Sequence, residues 1–171
     1  EVKEGKNGCV IINDSYNSDL ASLDIALDFM SRRSEDKGKK RTLILSDMLE
    51  TGQSSKLLYR QVAELVHSRG VEKIIGVGDE IRTASSRFEL EKYFFHSTED
   101  LLKSDLLPNL RNEVVLIKGS RSFHFDDISE RLELKVHETI LEIKLNALVD
   151  NLNYYRSKLK PETKMVCMVK A

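Results

Sequence analysis

The sequence predicts an α/β protein, a mostly parallel sheet with helices on both faces, followed by a shorter strand-helix-strand piece. Three observations predict this. Short apolar runs alternate with longer amphipathic ones, strand then helix, five times over the first part of the chain. Polar, turn-forming residues cluster where the apolar runs end. After about Leu132 the alternation stops, and a different, shorter pattern begins.

Each element has its own signal. Cys9 to Ile12 is an apolar run ending at Asn13-Asp14, which reads as a strand and a loop. Leu20, Leu23, Ala26, Leu27 and Met30 have helical spacing, so a helix is expected over Leu20 to Arg33, capped by Ser18 or Asp19. Thr42 to Leu45 is the second strand, and Asp47 to Ser54 a loop. Ser55 to Arg69 is helical, with Leu58, Val62, Leu65 and Val66 on one face, and Gly70 ends it. Lys73 to Val77 is the third strand, followed by a short helix from about Glu80 to Arg87. Lys92 to Phe95 is a weaker strand. The run Ser97 to Asp100 can cap a helix over Leu101 to Leu106, and Pro108 closes that region. Val114 to Ile117 is the fifth strand, and Asp126 to Leu132 a short helix.

Composition narrows the function classes. The chain has 171 residues, 40% hydrophobic and 32% charged, with 27 basic and 28 acidic residues and a net charge of −1. Such a balance creates no field favouring nucleic acid or an anionic membrane. No apolar stretch reaches the roughly 18 residues that a membrane span needs. Cys9 and Cys167 sit in apolar runs and read as free buried thiols of a reducing cytoplasm. No Cys or His spacing supports a metal site. His67, His96, His124 and His137 take surface or packing roles. Gly76-Val77-Gly78-Asp79 lacks the third glycine of a dinucleotide fingerprint and reads as a strand-end turn.

In a parallel sheet, ligands bind at loops leaving the carboxyl ends of the strands. That rule singles out Asp14 to Ser18, Ser46 to Gly52 and Lys118 to Phe123. Taken alone, each loop has a plain structural reading. Asp-Ser-Tyr-Asn after a strand is ordinary turn chemistry, Asp47 and Glu50 are a solvated loop, and Lys118 to Arg121 is a polar turn or an anion site.

Together the three loops resemble one family. Asp14-Ser15-Tyr16-Asn17 matches part of the run Asp-Asp-Ser-Tyr-Asn-Ala-Asn-Pro of the Mur ligases that add D-alanyl-D-alanine to UDP-MurNAc-tripeptide. Here Ser18 replaces Ala, and Asp19-Leu20 replaces Asn-Pro. Ser46-Asp47-Met48-Leu49-Glu50-Thr51-Gly52 is similar to the family's Gly-Asp-Met-Leu-Glu-Leu-Gly, and Lys118-Gly119-Ser120-Arg121 matches its Lys-Gly-Ser-Arg. The pattern covers about residues 7 to 133. The resemblance implies a Rossmann-like C-terminal ligase domain over residues 1–133. It implies nucleotide-binding roles for Asp14, Tyr16 and Asn17, and substrate-binding roles for Asp47, Glu50, Lys118, Ser120 and Arg121. ATP and magnesium serve such a ligase, which phosphorylates a peptide carboxylate before an amine attacks it. That chemistry asks for alignment and charge neutralisation rather than a covalent protein group. No Gly-x-x-x-x-Gly-Lys-Ser/Thr loop occurs in the sequence. The chain is therefore expected to be inactive by itself, to work with the central and N-terminal ligase domains, and to hinge near Glu1 to Lys6.

Residues 134–138 read as a connector. Thr139 to Ile143 is strand-like, Leu145 to Leu159 helical, and Met165 to Val169 a strand. Leu141 to Leu148, Asn151-Leu152 and Val169-Lys170-Ala171 resemble the start of alanine racemases. The resemblance implies a truncated racemase beginning over residues 139–171, with Lys170 forming the pyridoxal phosphate Schiff base only in the full-length enzyme. No tightly bound cofactor is expected in the chain as given. The other readings are a stand-alone Rossmann-like nucleotide-binding module, and a linker that self-associates through an unpaired strand edge of the tail. A cytoplasmic location is expected, with no nucleic-acid or membrane partner.

Overall fold

Alternate residues along each central strand point to opposite faces of one sheet, and helices cover both faces. The computed structural model describes residues 1–35, 38–48, 52–135 and 142–166. Two units are distinguished, Glu1–Leu134 and Lys135–Ala171. In the first, the strands are β1 (Val2–Glu4), β2 (Val10–Asp14), β3 (Lys40–Ser46), β4 (Lys73–Val77), β5 (Glu91–Phe95) and β6 (Glu113–Lys118). They lie in the order β1-β2-β6-β3-β4-β5, with all neighbours parallel except β1, which pairs antiparallel to β2.

The helices are α1 (Leu20–Glu35), α2 (Ser55–Ser68), α3 (Asp79–Thr83), α4 (Thr98–Lys103) and α5 (Asp126–Leu132). Leu23, Leu27 and Met30 of α1, Leu58, Val62 and Val66 of α2 and Ile81 of α3 pack with Ile12, Leu43, Leu45, Ile74 and Leu116 on one face. Leu101 of α4 and Ile128 and Leu132 of α5 pack with Ile11, Ile44, Ile75, Val115 and Ile117 on the other. The period-two division of strand residues between two dry faces explains why the central strands read as continuous apolar runs. Each fully buried Leu, Ile or Val contributes roughly 1.5–3 kcal/mol.

Helix starts follow the expected chemistry. Asp19 caps α1: Oδ1 accepts from the Ser22 amide at 2.8 Å, and Oδ2 accepts from the Ser22 hydroxyl at 2.7 Å. These bonds, the amide first, hold the Asp19 carboxyl below its ordinary range. Ser18 takes no such role. The Ser97 hydroxyl accepts from the Asp100 amide at the start of α4.

The stretch Glu1 to Lys6, expected to hinge, carries β1, and two expected helices end early. Lys3 Nζ donates to Glu133 at 3.0 Å, Lys6 Nζ to the Arg131 carbonyl at 2.9 Å, and the Leu134 amide to the Glu4 carbonyl at 2.9 Å. Three residues are too few to announce a strand by alternation, and backbone pairing to β2 forms it. The short helix after β4 stops at Thr83, and a separate 3-10 turn spans Ser85–Arg87. The helix expected to run to Leu106 also ends early, at Lys103.

At the amino ends of the strands, Lys73 and Glu113 form a buried pair at 2.7 Å, and Thr42 donates its hydroxyl to the same carboxylate. No described helix is long and apolar enough to cross a membrane.

In the second unit, α6 (Leu145–Lys158) buries none of its residues. Glu142 and Ile143 of one expected strand, and Met165 and Val166 of the other, are described and form no strand. Residues 139–141 and 167–169 of those strands lie outside the described residues.

Candidate functional site

The chain order places a topological switch at β6. Strands β2 to β5 are connected by α1, α2 and α3 on one face. The chain then returns through α4 on the other face, inserts β6 between β2 and β3, and leaves into α5. The helices after β2 and β6 therefore diverge to opposite faces, and a crevice opens at the carboxyl ends of these two neighbours. A cleft of about 590 Å³ lies there, lined by Asn13 to Tyr16 from the β2 tip and by Arg121 and His124 to Asp127 from beyond β6.

Register sets the base of the site. Lys118 sits opposite Asp14 on one side and Leu45 on the other. Its side chain is 1% exposed, and its ammonium lies 3.0 Å from Asp14 Oδ2. It also donates to the Asn17 carbonyl, with the Asp14 carbonyl at 3.5 Å. An ammonium has three N–H donors, and here all are directed at the loop after β2. Lys118 is thus a strut between two loops rather than a free cation. Asp14 is about half exposed and keeps Oδ1 without a partner among the described residues. The Asn17 side chain is exposed.

Above this strut, the Arg121 guanidinium carbon lies 3.7 Å from the centroid of the Tyr16 ring. Tyr16 is 62% exposed. Among the described residues no oxygen accepts from the Arg121 guanidinium, so its donors remain unspent. The Ser120 hydroxyl lies 2.8 Å from that of Ser122, and the Ser120 amide donates to Ser46 Oγ at 3.0 Å. The last bond ties the β6 loop to the β3 tip. Gly119 has to be glycine for a packing reason, since a Cβ would stand 2.6 Å from the Phe125 ring.

Asp47 is held by bonds within the fold. Its carboxylate accepts from the Ile81 amide at 2.8 Å, the Glu80 amide at 3.2 Å and the Tyr59 hydroxyl at 3.3 Å. These amides are the unpaired donors at the start of α3, which a carboxylate satisfies well. Burial, and then the Asp47 charge, push the Tyr59 phenol well above its ordinary range, so it stays protonated as a donor. Asp47 lies at the same end of the sheet as the other loops, and its carboxylate accepts these three bonds from within the fold. Glu50 lies outside the described residues, as does Lys170.

The structure therefore gathers Asp14, Tyr16, Asn17, Lys118, Ser120 and Arg121 at one edge, with Asp47 joined to them through Ser46. Reasoning from sequence missed Asn13, Ser15 and Asp126. Asn13 Nδ2 donates to Asp126 Oδ1 at 3.1 Å, Ser15 Oγ lies 2.6 Å from Asn13 Oδ1, and the three close the far wall of the cleft. His124 was also missed as a lining residue. It takes a left-handed backbone, φ 51° and ψ 44°, at the turn into α5. The only sequence signal for Asp126 was an acidic first turn on a helix following a candidate loop.

Residues 1–121 match the family described as "Mur ligase, glutamate ligase domain". Several curated relatives carry the name UDP-N-acetylmuramoyl-tripeptide–D-alanyl-D-alanine ligase. That of Escherichia coli (strain K12) is 25% identical over 125 residues, covering 72% of this chain and 27% of the relative. That of Rickettsia prowazekii (strain Madrid E) is 30% identical over 122 residues, covering 69% and 26%. The chain spans about a quarter of the length of these relatives. Among solved structures, MurF ligase from Thermotoga maritima in complex with ADP superposes with a TM-score of 0.60 at 20% identity, covering 76% of this chain and 29% of that one. MurF from Acinetobacter baumannii gives 0.61 at 18% identity, covering 77% and 29%. These likenesses show the same fold.

Proposed function

The chain belongs to the Mur ligase family, and from that premise we propose that residues 1–133 are the C-terminal domain of an ATP-dependent, cytoplasmic ligase that joins D-alanyl-D-alanine to UDP-MurNAc-tripeptide in peptidoglycan synthesis. One observation supports this reading above the others: the β2 and β6 loops face one cleft, and the Arg121 guanidinium there has all its donors unspent.

In this reading ATP phosphorylates the peptide carboxylate, and the dipeptide amine then displaces phosphate. The domain forms one wall of the site. Asp14 Oδ1, the Asn17 amide and Tyr16 face the nucleotide, where a carboxylate suits a ribose hydroxyl. Arg121 and Ser120 face the dipeptide carboxylate, for which a planar guanidinium offers two parallel bonds. Lys118 acts indirectly, by holding the nucleotide loop against the dipeptide loop. Magnesium, when bound with the nucleotide, neutralises phosphate charge. This domain's own part is alignment of the nucleotide and the dipeptide.

The test uses the complete ligase carrying this domain. Arg121→Ala should raise the KM for D-alanyl-D-alanine about 10- to 100-fold, as for loss of charged hydrogen bonds, with the KM for ATP little changed. An unchanged dipeptide KM refutes the assignment.

For residues 139–171 we propose the start of an alanine racemase domain. The support is the sequence resemblance, together with a helix α6 that leaves Leu145, Leu148, Val149, Tyr154 and Tyr155 exposed. Apolar side chains spaced this way call for a further covering layer. The described residues of this stretch form no cradle for pyridoxal phosphate. Adding pyridoxal phosphate to this chain should give no imine absorbance. A longer protein continuing past Ala171 should give that absorbance and lose it on Lys170→Ala. Imine formation at Lys170 in the chain as it stands would show the proposal to be wrong.

A further inference from the structure

We infer that Tyr16 is a positioning residue for dipeptide recognition, acting through Arg121, in addition to walling the nucleotide side; the inference rests on the proposed ligase function. An exposed arginine ordinarily samples many rotamers, and ordering one costs conformational entropy. Here Arg121 is laid over the Tyr16 ring at 3.7 Å, and it forms no ion pair among the described residues. Stacking uses the face of the guanidinium, while its hydrogen bonds leave from the edges. The ring therefore fixes the plane of the guanidinium without consuming a single donor. A carboxylate entering the cleft meets a fork already oriented for two parallel bonds.

The tyrosine can do this only because its own loop is held. Lys118 bonds the Asn17 carbonyl and the Asp14 carboxylate on either side of it. Ser120, next to Arg121, is held through its amide to Ser46. Both partners of the stack thus stand on fixed backbone, one from each loop of the cleft. The interaction belongs to the ring rather than to the phenol hydroxyl, which has no hydrogen-bond partner among the described residues. Ring and hydroxyl can therefore be separated by mutation.

The test is a double-mutant cycle in the complete ligase, with Tyr16→Leu, Tyr16→Phe, Arg121→Ala and the double variant Tyr16→Leu with Arg121→Ala. Tyr16→Leu should raise the KM for D-alanyl-D-alanine about 3- to 10-fold, the range of an exposed to half-exposed cation–π contact. Tyr16→Phe should restore the wild-type KM, because the ring face remains. In the Arg121→Ala background, Tyr16→Leu should add nothing to the dipeptide KM. Equal effects of Tyr16→Leu in both backgrounds, or an effect confined to the KM for ATP, would overturn the inference while leaving the ligase assignment standing. A dipeptide KM indifferent to Arg121→Ala would instead remove the assignment itself. Tyr16 is exposed, so thermal unfolding of its variants should match that of the parent and separate these outcomes from misfolding.

Discussion

Replacing Gly78 with alanine is expected to lower the stability of the chain by about 4 kcal/mol, from backbone strain and a displaced buried carboxylate together. Gly78 has φ 126° and ψ 168°, a region that residues with a side chain avoid. A Cβ at this position would stand 2.3 Å from the Asp47 carboxyl carbon. The carboxylate cannot move cheaply, because it satisfies the Glu80 and Ile81 amides and the Tyr59 hydroxyl. Strain contributes roughly 1–3 kcal/mol, and unsatisfied buried polar groups roughly 1–3 kcal/mol. Urea unfolding measures the sum. Combining Gly78→Ala with Asp47→Ala removes the clash, so the double variant should be more stable than the two single losses predict. Additive losses would mean that the contact is not the cause.

Lys118→Met should cost about 3 kcal/mol, toward the lower end of the range for breaking a buried ion pair. Methionine keeps the length and the apolar stem but removes every donor. Asp14 is half exposed and regains water, which moderates the loss. The Asn17 carbonyl loses its ammonium, and the loop carrying Tyr16 loses its anchor. Hydrogen exchange should therefore quicken at the amides of residues 15–18 beyond the change in global stability. Lys118→Arg should not rescue, because a bulkier planar group does not fit a site that is 1% exposed. Slowed or unchanged exchange in that loop, with stability intact, would show that Lys118 is not the strut between the two loops.

Much of this architecture was legible beforehand. Lys73–Val77 and Asp126–Leu132 have the bounds that their patterns predict, and α1, α2, β2, β3 and β6 differ by a few terminal residues. Strong period and turn chemistry set these elements locally. Strand β1 was not legible, because three residues carry no period and its bonds come from distant partners. In the site, Asp14, Tyr16, Asn17, Lys118, Ser120 and Arg121 were all singled out as polar residues just past apolar strands. Their division of labour was not. Lys118 and Arg121 are two cations of one four-residue motif, yet one is spent inside the protein and the other faces the cleft.

The sequence alone determined the alternation of elements, the two dry faces of the sheet and which strand tips carry chemistry, because these follow from side-chain period and local turn preference. Only the tertiary structure decided which tips are neighbours. It decided that β6 enters between β2 and β3, that Asp47 finds the start of α3, and that the Tyr16 ring lies under Arg121. Those outcomes depend on strand order and on contacts between residues far apart in the chain, such as Asp14 and Lys118, which are 104 residues apart. No local propensity carries that information, since the partners meet only after the sheet has formed.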